Sequence, residues 1–286
     1  MIERPKLDPR VNAFRPDLAD VSLQVLAKAD RYVEPLPRQC IQGVVPLLAE
    51  PREDARRLSE IRYGEFLDVF EERADGFVWV QNRSDRYVGY IPSPEVLSEA
   101  IASLANRIKA LHTFVYAEPD LRSPLLDRLT LGSYVGVMGE AGDFLELAGG
   151  GFVFARHVTS SEDFIEPDYV FTAGRMLSAP YLWGGRTPLG LDCSSLVQLA
   201  LEMAGVEAPR DVDQQRDLFG RPLESNWRDV IWRRGDIVFF EPLHVGIMTS
   251  HDHIINANEA VMQVTVEPLT NIVSRNYQIV AKGRPC

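Results

Sequence analysis

One central cysteine is the residue in this sequence best placed to act as a nucleophile. Cys193 follows Asp192 and begins a run of small and apolar residues at helical spacing, which ends before Gly205. We therefore expect a helix with Asp192 as its N-cap and Gly205 as its C-terminal stop. The N–H groups and the dipole at a helix N-terminus stabilise a thiolate. Spacing alone leaves open that Cys193 is only a small core side chain.

A thiol nucleophile needs a base and a group that orients the base. His244 begins a predicted strand and is the natural partner for Cys193. Asn256 lies in the next predicted strand, and its side-chain amide can hold an imidazole in one tautomer. Together these residues have the types of a nucleophile, a base and an orienting group, although a lone histidine or asparagine is more often structural.

Composition and charge describe a globular protein of more than one domain. The chain has 286 residues, 45% of them hydrophobic, and a net charge of −11. Such an acidic chain argues against a nucleic-acid partner and against binding to an anionic membrane. The charged first residues lack the apolar region of a signal peptide, and no 18-residue apolar run occurs, so we expect a cytoplasmic location. An odd number of cysteines, Cys40, Cys193 and Cys286, makes a disulfide framework unexpected.

The N-terminal half predicts two small β-barrels. Residues 1–37 are expected to form an arm with one short helix at Leu18 to Ala29, where apolar residues follow a helical spacing. Residues 38–95 carry short alternating apolar segments between turn residues, typical of a small barrel, and residues 108–160 repeat that order. A helix over residues 96–107 is predicted to connect the barrels.

The repeat is supported by two pairs of matching dipeptides. Glu50-Pro51 and Glu118-Pro119 occupy equivalent places, as do Tyr63-Gly64 and Leu131-Gly132. From residue 165 onward, helices precede four strand candidates, which indicates an α+β domain with an antiparallel sheet over residues 165–286.

Four motifs of this last domain resemble one family. Residues 177–197 read LSAPYLWGGRTPLGLDCSSLV, and they are followed by PRD at 209–211, RGDIVFF at 234–240 and HVGI at 244–247. In type and order these motifs resemble the NlpC/P60 cysteine peptidases, and the two β modules resemble bacterial SH3 domains. The resemblance implies two SH3-like barrels followed by a papain-like peptidase domain. The arrangement is similar to the γ-D-glutamyl-L-diamino acid endopeptidases, which act on cell-wall peptides.

Carried over by position, the resemblance makes Cys193 the nucleophile and His244 the base. The family's third residue is most often a histidine, whereas this sequence has Asn256; cysteine peptidases with a Cys-His-Asn triad are known. We expect Asn256 Oδ1 to accept the His244 Nδ1–H, which leaves Nε2 for the sulfur. His253 and Asn258 are alternatives for this orienting role.

The resemblance also implies a set of substrate-binding residues. They are Tyr181, Asp192, Ser194, Asp211, Glu65 and Tyr87. A substrate with a free N-terminal L-Ala before γ-D-Glu requires carboxylates near its ammonium group, and Asp211 and Glu65 are the candidates. Tyr87 is a candidate wall of that pocket, and Tyr181 matches a tyrosine whose hydroxyl lies near the sulfur. A structural role is equally open for both residues: Glu65 as a solvated carboxylate and Tyr87 as an aromatic residue of the barrel core.

The resulting prediction is a cysteine peptidase that recycles murein-derived peptides. We expect a monomer with no cofactor. We also expect no bound metal, because His251 and His253 lack further candidate ligands. Two alternatives stay open: a wall-peptide-binding protein of SH3 type with a degenerate peptidase domain, or a related cysteine amidase or acyltransferase.

Overall fold

The computed structural model describes residues 7–99, 105–163 and 165–285. The chain divides into two compact units, Met1–Ser161 and Glu162–Cys286. The first is built from β-strands, and the second combines helices with an antiparallel sheet, so the predicted α+β class is confirmed. Within the described ranges, no helix has both the length and the apolar character needed to cross a membrane.

The first unit consists of short strands joined by turns. The strands are β1 Leu18–Asp20, β2 Arg31–Val33, β3 Leu36–Cys40, β4 Val44–Leu48, β5 Arg57–Arg62, β6 Phe66–Glu72, β7 Val78–Asn82, β8 Val88–Ile91, β9 Leu97–Ser98, β10 Asn106–Ile108, β11 His112–Tyr116, β12 Leu125–Thr130, β13 Tyr134–Val135, β14 Val137–Ala141, β15 Phe144–Leu147, β16 Phe152–Phe154 and β17 Val158–Ser160. The first barrel is an antiparallel sheet in the order β5-β4-β8-β7-β6-β3-β9. The second barrel combines the sheets β12-β11-β16-β15-β14 and β13-β10-β17.

The two barrels repeat one pattern along the chain. Strands β11 and β12 begin 68 residues after β4 and β5 (112 − 44 and 125 − 57). Gly64 and Gly132 end the equivalent hairpins, with φ of +82° and +84°, a conformation that glycine adopts without steric cost. Their N–H groups donate to the carbonyls of Cys40 and Ile108, which are also 68 residues apart (108 − 40). The two glycines therefore form the same turn at the equivalent place in each barrel.

The helix predicted at Leu18 to Ala29 is wrong. The segment forms β1, which pairs in parallel with β2, followed by a single 3₁₀ turn at Val21–Leu23. Leu18 is fully buried in a core cluster of the first barrel, whereas Val25 is 78% exposed. Only the start of the segment packs against the core of the first barrel, so a helix over the whole segment would have nothing to pack its other apolar residues against.

The helix predicted over residues 96–107 is also wrong where the structure describes it. Leu97–Ser98 forms β9, which pairs with β3, and Asn106–Ile108 forms β10, which pairs with β13 and β17. Residues 100–104 of that prediction lie outside the described residues. Pairing with barrel strands at both ends overrides the local helical spacing.

The second unit places one long helix against an antiparallel sheet. Its elements are α1 Tyr169–Arg175, β18 Arg186–Thr187, β19 Gly190–Leu191, α2 Cys193–Met203, α3 Val212–Phe219, β20 Gly220–Pro222, β21 Ile237–Glu241, β22 His244–Met248, β23 His253–Asn258, β24 Gln263–Pro268, α4 Leu269–Ser274 and β25 Gln278–Gly283. The strand order is β20-β25-β21-β22-β23-β24, and α2 packs against β22 and β23. This packing brings the N-terminus of α2 to the strands that carry His244 and Asn256.

Candidate active site

Helix α2 begins with the capping geometry that the sequence predicts. Oδ1 of Asp192 accepts the Ser195 N–H at 2.9 Å, and Ser195 Oγ accepts the Asp192 N–H at 3.0 Å, which forms a capping box. Gly205 follows the helix with φ of +77°. Cys193 is consequently the first residue of α2.

A buried arginine that the sequence did not single out fixes this helix end. Arg210 Nη1 lies 3.0 Å from Asp192 Oδ1 and its Nη2 lies 2.5 Å from Oδ2, and the Arg210 side chain is only 1% exposed. Arg210 also donates to Ser194 Oγ at 2.9 Å. Two parallel bonds from one guanidinium orient the carboxylate firmly. Asp192 and Ser194 thus hold the nucleophile's helix in place, and their predicted contact with substrate stays a prediction.

The sulfur of Cys193 lies against the beginning of β22. Burial raises the pKa of the Cys193 thiol to about 12, and the Asp192 carboxylate adds to the effect. Hydrogen bonds from the backbone of Val245 and Ser194 act in the opposite direction. In the free protein, burial outweighs the stabilisation of the thiolate that we expect from the helix N-terminus. Burial thus favours the neutral thiol in the free protein, and the role of Cys193 as nucleophile stays a prediction.

His244 and Asn256 are in contact, as predicted, but through the other ring nitrogen. His244 Nε2 lies 3.2 Å from Asn256 Oδ1, whereas the sequence analysis assigned Nδ1 to this bond. The Cys193 thiol contacts the backbone of Val245, the residue after His244. With Nε2 bonded to Asn256, Nδ1 is the ring nitrogen left for the thiol. Burial lowers the pKa of His244 to about 4, and the hydrogen bond with Asn256 opposes this shift. A neutral imidazole with the proton on Nε2 leaves Nδ1 ready to accept a proton.

The two alternative orienting residues have other partners. His253 Nδ1 lies 2.9 Å from Asp252 Oδ1, and Asn258 Nδ2 donates to Glu267 at 2.6 Å. Among the residues that the structure describes, neither contacts the His244 ring. Of the three candidates, Asn256 is the one that contacts the imidazole, and its orienting role stays a prediction.

Tyr277 is a second residue of the site that the sequence analysis missed. Its ring centroid lies 5.1 Å from that of His244, and its hydroxyl donates to Glu259 at 3.0 Å. Phe240 packs near the same imidazole at 5.6 Å. Burial, followed by the bond with Glu259, raises the pKa of Tyr277 to about 12. These rings limit the orientations open to the His244 imidazole.

The structure places the remaining candidates of the second unit near α2 or at the start of α3. Tyr181 is half-buried, and its backbone forms a bridge with Leu191, two residues before Cys193. Burial raises the pKa of Tyr181 above its ordinary value, so its hydroxyl stays a neutral donor. Asp211 is the N-cap residue of α3, is half-buried and makes no capping hydrogen bond with its side chain.

Glu65 and Tyr87 belong to the first unit and are both buried there. Glu65 pairs with Arg62 at 3.0 Å, with both side chains fully buried, and accepts the Ser84 hydroxyl at 3.0 Å. Tyr87 is 4% exposed and lies in the core cluster of the first barrel. The structure thus gives Glu65 a compensating charge and Tyr87 a core role. Their contribution to substrate binding stays a prediction.

The pH dependence of alkylation follows from the neutral thiol and imidazole. Below a thiol pKa of about 12, the thiolate fraction rises about tenfold per pH unit. We expect the rate at which iodoacetamide modifies Cys193 to climb steadily between pH 6 and 9, measured by peptide mass spectrometry with Cys193→Ala as the control. A plateau across this range indicates a preformed thiolate–imidazolium pair and contradicts the expectation.

Comparison with known proteins assigns a domain family to the first barrel and to the second unit. The model of the NlpC/P60 family matches residues 178–282, and that of the bacterial dipeptidyl-peptidase Sh3 domain matches residues 47–95. The chain is 28% identical over 244 residues to dipeptidyl-peptidase 6 of Lysinibacillus sphaericus, a match that covers 78% of this chain and 88% of the relative. It is 27% identical over 114 residues to gamma-D-glutamyl-L-lysine dipeptidyl-peptidase of Bacillus subtilis strain 168, covering 37% of this chain and 36% of the relative.

A solved structure shares the fold. The crystal structure of an NlpC/P60 family protein from Bacillus cereus ATCC 10987 superposes with a TM-score of 0.72 at 16% identity, covering 87% of this chain and 99% of that chain. The chain therefore combines a bacterial SH3 domain with an NlpC/P60 domain of the cysteine peptidase type.

Proposed function

We propose that this protein cleaves the amide bond between the γ-carboxyl of D-Glu and a diamino acid, in murein peptides that begin with a free L-Ala. The observation that carries the proposal is the contact of the Cys193 thiol with the backbone of Val245, the residue next to the hydrogen-bonded His244–Asn256 pair. The similarity to dipeptidyl-peptidase 6 over both the SH3 and the peptidase regions supports this choice of substrate. The role in cell-wall recycling and the cytoplasmic location stay predictions of the sequence.

The first half of the reaction forms a thioester. His244 Nδ1 takes the proton from the Cys193 thiol as the sulfur attacks the γ-carbonyl carbon of D-Glu. The Tyr181 hydroxyl donates a hydrogen bond to the oxygen that becomes negative. The proton on Nδ1 then passes to the amine of the diamino acid, the carbon–nitrogen bond breaks, and the thioester remains on Cys193.

The second half of the reaction restores the enzyme. His244 removes a proton from a water molecule, and the resulting hydroxide attacks the thioester carbonyl. The sulfur leaves as the proton returns to it, and L-Ala-γ-D-Glu is released as a free acid. Throughout, Asn256 Oδ1 holds the Nε2–H and stabilises the imidazolium that forms in each half.

A free amine is the feature of the substrate that we expect to matter most. In the peptidase unit we assign recognition of the ammonium group to Asp211, whose carboxylate stands at the start of α3. Losing a hydrogen-bonded charge partner costs about 2–5 kcal/mol when the pair is buried, which corresponds to about 30-fold or more in kcat/KM. We expect cleavage of L-Ala-γ-D-Glu-meso-diaminopimelate, followed by liquid chromatography and mass spectrometry, to slow by that factor when the substrate is N-acetylated.

The matched control for this assay is Asp211→Asn. It should slow cleavage of the free peptide while leaving the slow turnover of the acetylated peptide unchanged. Equal turnover of both peptides by the wild-type protein, or efficient cleavage of intact murein sacculi, contradicts the proposed specificity.

A further inference from the structure

The carboxylate of Glu267, which lies next to Asn256, accepts hydrogen bonds from three side chains. Glu267 Oε1 accepts from Asn256 Nδ2 at 3.1 Å and from Asn258 Nδ2 at 2.6 Å, and Glu267 Oε2 pairs with Arg275. The Glu267 side chain is only 11% exposed. In the register between β23 and β24, Glu267 lies opposite Ile254 and so is diagonal to Asn256 on the same face.

We propose that Glu267 is a positioning residue of this peptidase, which fixes the side-chain amide of Asn256 so that its oxygen faces His244. A carboxylate can only accept hydrogen bonds, whereas an amide has a donor end and an acceptor end. Because Glu267 binds the Nδ2 end, the Oδ1 end of Asn256 is the one that points at the imidazole. This inference deepens the proposed function and rests on it.

The orientation of the Asn256 amide decides which tautomer His244 adopts. With Oδ1 facing it, Nε2 carries the proton, and Nδ1 keeps the lone pair that accepts the thiol proton. If the amide turned over, its N–H would face Nε2, and the imidazole proton would move to Nδ1. A protonated Nδ1 cannot act as the base for Cys193. Glu267 therefore acts on the nucleophile through two intervening side chains.

The surroundings of Glu267 keep it in the accepting role. Asn258 Oδ1 accepts the Ala260 N–H at 2.8 Å, so the amide of Asn258 is itself held with Nδ2 toward Glu267. Arg275 balances the charge of the carboxylate, as a buried anion requires. This arrangement supplies a neutral asparagine with a fixed polarity at the position where the family most often has a histidine.

Glu267→Gln is the variant that tests this role. Glutamine offers one accepting oxygen to three donors, so the Asn256 amide is expected to lose its single orientation. We expect kcat to fall by about 10-fold to 10²-fold with little change in KM, less than the ~10⁴-fold loss recorded when the orienting aspartate of a triad is altered. Asn258→Ala, which removes one donor and leaves the Asn256 contact in place, is the matched control and should retain most of the activity.

The tautomer of His244 is the readout that a purely structural role would not change. In ¹⁵N-histidine-labelled full-length protein, the imidazole ¹⁵N shifts should show the Nε2–H form of His244 in the wild type and in Asn258→Ala. A mixture of tautomers is expected in Glu267→Gln. The double variant Glu267→Gln/Arg275→Gln, which leaves no unpaired buried charge, should show the same mixture if the single variant is unstable.

These outcomes separate the inference from the proposed substrate. The NMR measurement needs no substrate, so a pure Nε2–H form in both Glu267 variants overturns the positioning role whatever the protein cleaves. The expected tautomer change in Glu267→Gln, together with its loss of activity on murein peptides, supports the positioning role. Asn256→His should retain activity only while Glu267 is present, because the carboxylate must accept one imidazole N–H. Equal activity of Asn256→His with and without Glu267→Gln also contradicts the proposal.

Discussion

Replacing Cys193 with alanine should remove the peptidase activity, by about 10⁴-fold or more, while leaving the fold intact. Only the sulfur can form the thioester, and the residual reaction would depend on substrate binding alone. The side chain is small and begins a helix that is capped by Asp192, so alanine should be accepted without loss of α2. The measurement is the cleavage rate of the free-amine murein peptide, with circular dichroism as the test of folding.

The matched controls are the other two cysteines. Cys40 is buried in the core of the first barrel, and burial raises the pKa of its thiol to about 12. Cys40→Ala should keep the activity, with at most a loss of stability, and Cys286→Ala should behave like the wild type. Iodoacetamide inactivation that followed modification of Cys40 or Cys286 would refute the assignment of Cys193.

Arg210→Met should produce the largest loss of stability in the peptidase unit, together with a large loss of activity. The substitution leaves the buried Asp192 carboxylate without its bidentate partner, and breaking a buried pair costs about 3–5 kcal/mol. Asp192 also caps α2 at Cys193, so disorder of this carboxylate displaces the nucleophile. Urea unfolding of the full chain and the cleavage rate measure the two effects.

A second arginine in the same region provides the comparison. Arg216 in α3 pairs with Glu241 at 2.6 Å, and the two side chains are 31% and 48% exposed. Arg216→Met should cost at most about 1 kcal/mol, because exposed ion pairs contribute little. If Arg210→Met and Arg216→Met had similar unfolding midpoints, the Asp192–Arg210 pair would not hold the helix end as we describe.

Local patterns predicted the parts of the fold that local interactions determine. The capped helix at Cys193 and the strand at His244 occur as expected, because a capping box and alternating apolar residues depend on near neighbours. The helix predicted at Leu18 to Ala29 failed, since its apolar residues have the right spacing but only Leu18 and Ala19 meet a core. The conformation of that segment was determined by burial in the tertiary structure and not by local spacing.

The sequence pointed to Cys193, His244 and Asn256 as candidates, but not to the residues that hold their side chains in place. Asp192 and Arg210 are 18 residues apart (210 − 192), and no local motif shows that they form a bidentate pair. Glu267 reaches Asn256 only through the register of β23 with β24. The ring nitrogen of His244 that meets Asn256 depends on how the two side chains lie across neighbouring strands. Spacing along the chain carries none of this information.

Covalent capture by a substrate analogue measures both the reactivity of Cys193 and the recognition of a free N-terminal amine. The probe is L-Ala-γ-D-Glu with a chloromethyl ketone in place of the scissile amide, and peptide mass spectrometry locates the label. We expect alkylation of Cys193 alone, about 30-fold or more faster than by the N-acetylated probe, and little labelling in His244→Ala. Labelling of another residue, or equal rates with the free and the acetylated probe, would contradict a cysteine peptidase that recognises a free N-terminal L-Ala.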